Sequence, residues 1–428
     1  MFNVKAKELG HFDVAVCGGG VAGVAAAVSA ARAGANVILI ERSGTLGGTL
    51  TEGFIPLLID MENKGGVVRE LYKFLNEHGM TIAKRGERID ADGKTIPGEM
   101  VDTEGCKYFF DKTCTDAGVK QLYHSQVAGV NMNGDAIESI LLATECGNYS
   151  LTADVYIDAT GNGLLSDLAG CEWDCGDPAE GKPSPTSFAI CVTGMPAGYY
   201  GTDSHEGKTE YNNFLVANNI RISAEQASVK MLPSQVTWNL GTNFQYNVMP
   251  DDIYSLSRAV GEGRREAFET IEAHKKIKGY EKLSIAFTNS HLGVREGRRI
   301  YGEYRLTDDD IIEGRKFEDG ICLVKFGVDV HKLKSDDTTE CERGYKTKPY
   351  HIPYRCLLPK AVSNMLLAGR CISGDFYPHS SYRVMGNMVA TGEAAGFAAA
   401  RCSAEKISPK AFDGRRARDF MAERGYEL

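Results

Sequence analysis

Gly18, Gly20, Gly23 and Glu41 have the residue types and spacing to hold a dinucleotide. In such a G-x-G-x-x-G run the first glycine permits a tight turn. The second leaves the backbone bare where a pyrophosphate approaches, and the third lets a helix pack closely on a strand. Val21 and Ala22 open that helix, where free N–H groups and the helix dipole attract phosphate. An acid roughly 20 residues further on hydrogen-bonds a ribose hydroxyl, and Glu41 stands at that distance. Arg42, Gly47, Gly48 and Thr49 follow as a second glycine-rich cluster, read as backbone approaching the same ligand, with a flexible loop as the alternative.

These residues need a strand–turn–helix–strand unit to position them. Val14 to Cys17 read as a short buried strand, Val21 to about Ala33 as a small-residue helix stopped by Gly34, and Asn36 to Ile40 as a second apolar strand. The 428 residues include 43% hydrophobic and 25% charged residues, an ordinary globular composition with room for two or more domains. The net charge of −9 argues against nucleic acid or an anionic membrane as partner. Met1 to His11 lack the apolar core of a signal peptide, and no apolar run is long enough to span a bilayer. Twelve cysteines without a C-x-x-C pair suggest reduced thiols in a cytoplasmic protein rather than a metal site.

Further along, Val67, Val68, Leu71 and Leu75 recur at helical spacing before Gly79, and Ile82 to Met100 read as a polar surface excursion. Apolar runs at 120–123, 126–131, 136–144 and 149–151 suggest a small antiparallel sheet, with Asn133-Gly134 as a hairpin turn. Asp154 to Asp158 form a strand entering the turn Ala159-Thr160-Gly161. From about 172 to 335 the pattern changes to strands with one long amphipathic helix, Asp251 to about Lys278. Asn364 to Arg370 then give a buried strand and glycine turn, and Gly386 to Ala400 a helix of small residues. The expected architecture is α/β, with a nucleotide domain built from residues 1–171 and 336–428. The first part carries a small β excursion at about 80–152. The 172–335 segment is expected as an inserted, mostly-β α+β substrate domain.

The first motif resembles the ADP-binding fingerprint of the two-dinucleotide-binding-domain flavoproteins. Asp158-Ala159-Thr160-Gly161 resembles their internal Ala-Thr-Gly motif. Leu367-Ala-Gly369-Arg370 with Gly374-Asp375 resembles their C-terminal flavin motif. More narrowly, Leu292 to Ile300, Ile352 to Pro359 and Leu367 to Ala400 resemble a bacterial FAD-dependent oxidoreductase family, distantly similar to fumarate reductase flavoproteins. The resemblance implies a discontinuous Rossmann-like domain of the glutathione-reductase type and non-covalent FAD. Gly18, Gly20, Gly23 and Glu41 would hold its ADP half. Arg42, Gly47 and Gly48 would lie along the pyrophosphate and ribityl chain, where Asp375 would also bind. The helix opening at Gly386, Asn387 and Met388 would point its positive end at the flavin ring.

By the same resemblance, Tyr377, His379, Tyr382 and Arg383 follow the flavin-binding turn. His379 could serve as acid or base near neutral pH, and Arg383 could hold a carboxylate; the alternative is that they pack the flavin or cap the helix. Arg295, Glu296, Arg298 and Arg299 form a charge run, either a solvated face or, as the resemblance implies, an ion-pair network between domains or an anion site. Arg355 is expected buried and paired, and His291 and His351 structural. The function expected is hydride transfer between flavin N5 and a small organic substrate, either dehydrogenation of C–H/C–OH or reduction of an activated double bond. Two alternatives stay open: a fumarate-reductase-like reductase of an unsaturated carboxylate, and a flavin-carrying electron-transfer subunit paired with an electron carrier.

Overall fold

The structure is a computed structural model and describes residues 5–83, 88–89, 95–96, 99–199, 201–202, 204–333, 345 and 347–428. Most of the Ile82–Met100 excursion, the 335/336 boundary and the first four residues lie outside these.

A seven-stranded sheet organises the larger core. Its order is 120–122, 37–40, 7–17, 147–158, 136–144 and 125–133, with Met365–Leu367 added beside the end of Gly147–Asp158. Strand 7–17 pairs in parallel with both 37–40 and 147–158, and 120–122 pairs in parallel with 37–40. The runs at 120–158 therefore do not form a separate antiparallel sheet. They extend the nucleotide sheet, because Gly147–Asp158 is one long strand. Its first half pairs antiparallel with the hairpin 136–144, and its second half pairs in parallel with 365–367. Asn133-Gly134 does turn that hairpin, with Gly134 at φ +63°.

The apolar strands are near-continuous because both faces are covered, as parallel sheets require. Val14, Ala15, Val16 and Cys17 are fully buried. The small-residue helix Val21–Arg32 crosses the late helix Met385–Glu405 at very short range. Gly392 and Gly396 sit against the Ala22 and Ala26 carbonyls, where a Cβ would collide. The small side chains of both helices are thus explained by their mutual approach.

A second apolar cluster gathers Phe188, Ile190, Val192, Trp238, Leu240, Ile271 and neighbours. It lies beneath a four-stranded antiparallel sheet of order 228–231, 238–241, 190–193, 284–288, covered by the helices His205–Ala217 and Ile253–Lys275. Ile300, Leu306, Ile321 and Val324 pack in the larger core instead, so this second core is narrower than the 172–335 segment. Among the described residues no helix is long and apolar enough to cross a membrane.

Candidate functional site

The first strand delivers Gly18 at φ +104°, where a Cβ would run into the Ala159 carbonyl. A Cβ on Gly23 would strike the Gly18 carbonyl, so this glycine serves helix–turn packing. Gly20 is different: nothing lies within 4 Å of the place its Cβ would take. The second glycine cluster folds back against it. Gly47 N–H donates to the Gly19 carbonyl at 2.8 Å, and a Cβ on Gly48 would sit 3.0 Å from Gly20 Cα. The buried Glu41 carboxylate is fixed by two amides, accepting from Gly19 N–H at 2.6 Å and Ser43 N–H at 2.8 Å. Asp158, fully buried, shapes the opposite turn by accepting from Thr160 N–H (3.0 Å) and Ser166 N–H (2.8 Å).

Together these turns form one wall of a cleft of about 550 Å³. Of the residues marked by the sequence, Gly18, Gly20, Val21, Ala22, Glu41, Arg42, Gly47, Gly48, Thr49, Ala159, Thr160, Gly161, Gly369, Arg383 and Met388 line it. Six do not: Gly23, Asp375, His379, Tyr382, Gly386 and Asn387.

Each of the six has a packing reason. Gly386 is wedged against the Asp60 carbonyl, and its N–H donates to the Ile59 carbonyl at 3.1 Å. Asn387 is buried beside Cys322, whose thiol lies 3.4 Å from Asn387 Oδ1. Asp375 pairs with Arg305 at 2.5 Å, and Arg305 also binds Asp174. The residues after Asp375 form a short helix, Phe376–Tyr382, that turns His379 and Tyr382 inward. Tyr382 O–H donates to the Ile372 carbonyl at 3.1 Å. His379 is fully buried with neither ring nitrogen hydrogen-bonded. Burial, with Arg299, Arg383 and Arg370 nearby, holds it neutral, well below its usual range.

The far side of the cleft is cationic, and its groups come from distant segments. Arg295 donates to the Pro185 carbonyl at 2.5 Å and stacks 4.3 Å over the Phe244 ring. Arg383 donates to the Asp329 carbonyl oxygen at 2.7 Å and lies 3.5 Å from the Asp329 carboxylate. Burial and the adjacent Arg383 pull Arg295 down to about 10, so it stays charged at neutral pH. Partial burial would raise the Asp329 carboxyl, but His331, Arg383 and Arg295 hold it below the usual carboxylate range. Arg370 donates to the Val294 carbonyl and reaches Thr49 Oγ1 at 3.4 Å. His291 also lines the cleft, with Arg42 Nη2 2.8 Å from its Nε2. The helix Met385–Glu405 starts at the cleft: Val384, Met385 and Met388 line it, and no side chain caps its first turn.

His291, Arg370 and Asp329 were not marked as site residues by the sequence. Arg370 sits inside the Leu-Ala-Gly-Arg turn and could have been found there. Asp329 carries no local signal. The charge run 295–299 is not a solvated face. Glu296 and Arg299 are 2% exposed and pair with each other, and Arg298 pairs with Asp167 at 3.2 Å. Arg355 is not buried: its side chain is 47% exposed and pairs with Asp319.

The residues present fit a dinucleotide carrying a pyrophosphate. Bare glycine backbone, the start of a helix and the Arg42 and Arg370 guanidinium groups meet where two negative charges would lie, and Glu41 is set for a hydroxyl. A profile of the family described as FAD dependent oxidoreductase matches residues 13–421. A mitochondrial dihydrolipoyl dehydrogenase of Schizosaccharomyces pombe is 44% identical over 57 residues, which is 13% of this chain and 11% of that protein. An aromatic hydroxylase from angucycline biosynthesis, CabE, superposes with a TM-score of 0.50 at 12% identity, covering 97% of this chain and 68% of that one. The p-nitrophenol 4-monooxygenase PnpA of Pseudomonas putida gives 0.49 at 13% identity, covering 97% and 87%. The match across nearly the whole chain, on a mixed α/β fold with a parallel, Rossmann-like sheet, places this protein in the FAD-dependent oxidoreductase family, as an enzyme whose cofactor is FAD.

Proposed function

We propose that this enzyme acts on a small organic anion held by Arg295 and Arg383, within a discontinuous FAD domain of the glutathione-reductase type. The observation that carries this is the placing of two half-buried guanidinium groups on one wall of the cleft, with Asp329 beside Arg383 and both Asp329 and Glu225 acting on Arg295. A carboxylate entering the cleft would be met by both guanidinium groups. FAD, when bound non-covalently, supplies the centre that takes or gives a hydride. Arg295 is held by the Pro185 carbonyl and the Phe244 face, and Arg383 by Asp329, so both are oriented before substrate arrives. The start of the helix Met385–Glu405, beside Arg383, adds a positive field where negative charge develops on reduction.

His379 is replaced in this reading as the acid–base group, since its ring is walled off from the cleft. The direction favoured is reduction of an activated double bond conjugated to a carboxylate, because an arginine pair stabilises the enolate-like charge such a reduction generates. Dehydrogenation next to a carboxylate uses the same contacts in reverse. A cytoplasmic setting, with electrons exchanged through a small carrier, completes the proposal.

The test is anaerobic oxidation of reduced viologen by the FAD-loaded enzyme, over matched sets of unsaturated carboxylates and their neutral amides. Turnover with acids and not with amides is expected. Equal turnover with both would remove the arginine pair from substrate binding.

A further inference from the structure

We propose that His291, carried on the segment 289–295, closes over the FAD pyrophosphate as the third and titratable member of a cationic clamp with Arg42 and Arg370, so that cofactor binding takes up a proton. This rests on the FAD reading of the cleft. Three placements carry it. Gly48 is packed on Gly20 at the start of the first helix, and Thr49 follows Gly48, so Thr49 marks the phosphate end of the cleft. Arg370 Nη1 reaches Thr49 Oγ1 at 3.4 Å, and Gly369 before it packs on Ala22 in that helix's first turn, 3.2 Å from a Cβ on Gly369 to the Ala22 Cβ. His291 lines the same cleft with its ring against Arg42, which directly follows the ribose-binding Glu41.

The segment bearing His291 is fixed rather than loosely draped. His291 N–H donates to the Glu52 carbonyl at 3.3 Å, Asn289 Nδ2 donates to the His291 carbonyl at 2.7 Å, and Ser290 Oγ binds the Glu52 carboxylate. The charged groups facing the ring are Arg42 and Arg370. The Glu41 and Glu52 carboxylates and Arg295 share the cleft.

Without a cofactor, burial and then the two arginines drive the imidazole down to about 3, so it is neutral at physiological pH. A pyrophosphate carrying two negative charges reverses the sign of that surrounding. The two arginines are then offset, and the ring's proton affinity rises from about 3 toward the ordinary imidazole value of about 6.5, with burial still opposing it. Binding therefore takes up one proton at pH values between these two limits. By linkage, affinity falls as pH rises through the window and becomes level above it. The bond formed is an N–H on His291 with a proton drawn from solvent; no redox step is involved.

The experiment is a fluorescence titration of reconstitutable apoprotein with FAD between pH 5 and pH 8, with riboflavin as the ligand lacking phosphates. The expected result is FAD affinity falling by up to about tenfold per pH unit below roughly pH 6.5, with riboflavin showing no such slope. His291→Gln should flatten the slope at weak affinity. His291→Lys, a permanent cation, should flatten it at strong affinity. A flat wild-type profile, or His291→Gln retaining the slope, overturns the clamp while leaving FAD as cofactor. Failure of the wild-type protein to bind FAD at any pH would instead overturn the cofactor reading of the cleft.

Discussion

Glu296 Oε2 accepts the backbone N–H of Ser184 at 2.9 Å, tying the turn before strand 186–187 to the residue beside Arg295. The same carboxylate accepts Gly176 N–H at 2.7 Å and pairs with Arg299. The 176–185 loop, which offers the Pro185 carbonyl to Arg295 and Ser184 Oγ to Arg383 at 3.4 Å, is thereby anchored from the inside. Glu296→Ala should destabilise by about 1–3 kcal/mol, since the buried Gly176 and Ser184 N–H groups lose their acceptor while Arg299 keeps Asp174. Urea unfolding measures this. Glu296→Gln, which keeps an acceptor, should lose less stability yet still raise KM for an anionic substrate.

Glu41 makes the second prediction. Its carboxylate is already oriented by Gly19 and Ser43, so a ribose hydroxyl meets a fixed acceptor. Loss of one charged hydrogen bond is worth about 1.5–3 kcal/mol, so Glu41→Gln should weaken FAD binding by roughly ten- to a hundredfold. A change in FAD affinity below threefold, measured by fluorescence titration, would place the ribose elsewhere.

Gly392 and Gly396 test the crossing of the two helices separately from the cleft. Neither lines it, and each meets a carbonyl of the first helix where a Cβ would collide. Gly392→Ala should cost about 1–3 kcal/mol through forced separation of the helices. The thermal midpoint should drop while bound FAD stays near one per chain. Loss of FAD at full stability would show that the crossing acts on the cleft directly.

Acid should destabilise the protein through its buried histidines. Burial, then Lys316 and Arg418, brings His351 to about 4, and burial holds His274 below its usual range despite the Thr270 carbonyl. Both are depressed bases. The unfolded chain therefore binds more protons once the pH falls below about 6.5. Stability is flat above that value and declines from there toward pH 4. Urea midpoints at pH 7 and pH 5 check this, and His351→Gln should shallow the decline.

Local chemistry was legible in the sequence and distant partnership was not. The Gly18–Gly23 run is recognisable from residue type and spacing within six positions, although Gly18 also packs on the distant Ala159 carbonyl. The strands between 120 and 158 also announced themselves by alternation. Their membership of one sheet depended on pairing with 37–40 and 365–367, which no local pattern records. The charge run at 295–299 stayed open between a solvated face and a paired one, because its partners Gly176, Ser184 and Asp167 are more than 100 residues away. His379 has suitable chemistry, yet the helix Phe376–Tyr382 rotates it into the core. Asp375 matched a flavin motif, but Arg305 captures its carboxylate. In each case composition identified a reactive group and tertiary geometry decided whether it faced the cleft.

The cleft is sewn from both ends of the chain, and this has a consequence for biosynthesis. Its phosphate-side turns are translated within the first 49 residues, but strand 365–367, Gly369, Arg370 and the start of the helix Met385–Glu405 emerge from the ribosome hundreds of residues later. Until then the first helix lacks the partner that covers its alanine face, and the nucleotide turns have no opposing wall. Cofactor loading should therefore wait until these later segments have been made and have packed against the first helix. Cellular FAD supply should then govern how much finished protein becomes holoenzyme, and leave untouched how fast the nascent chain begins to fold.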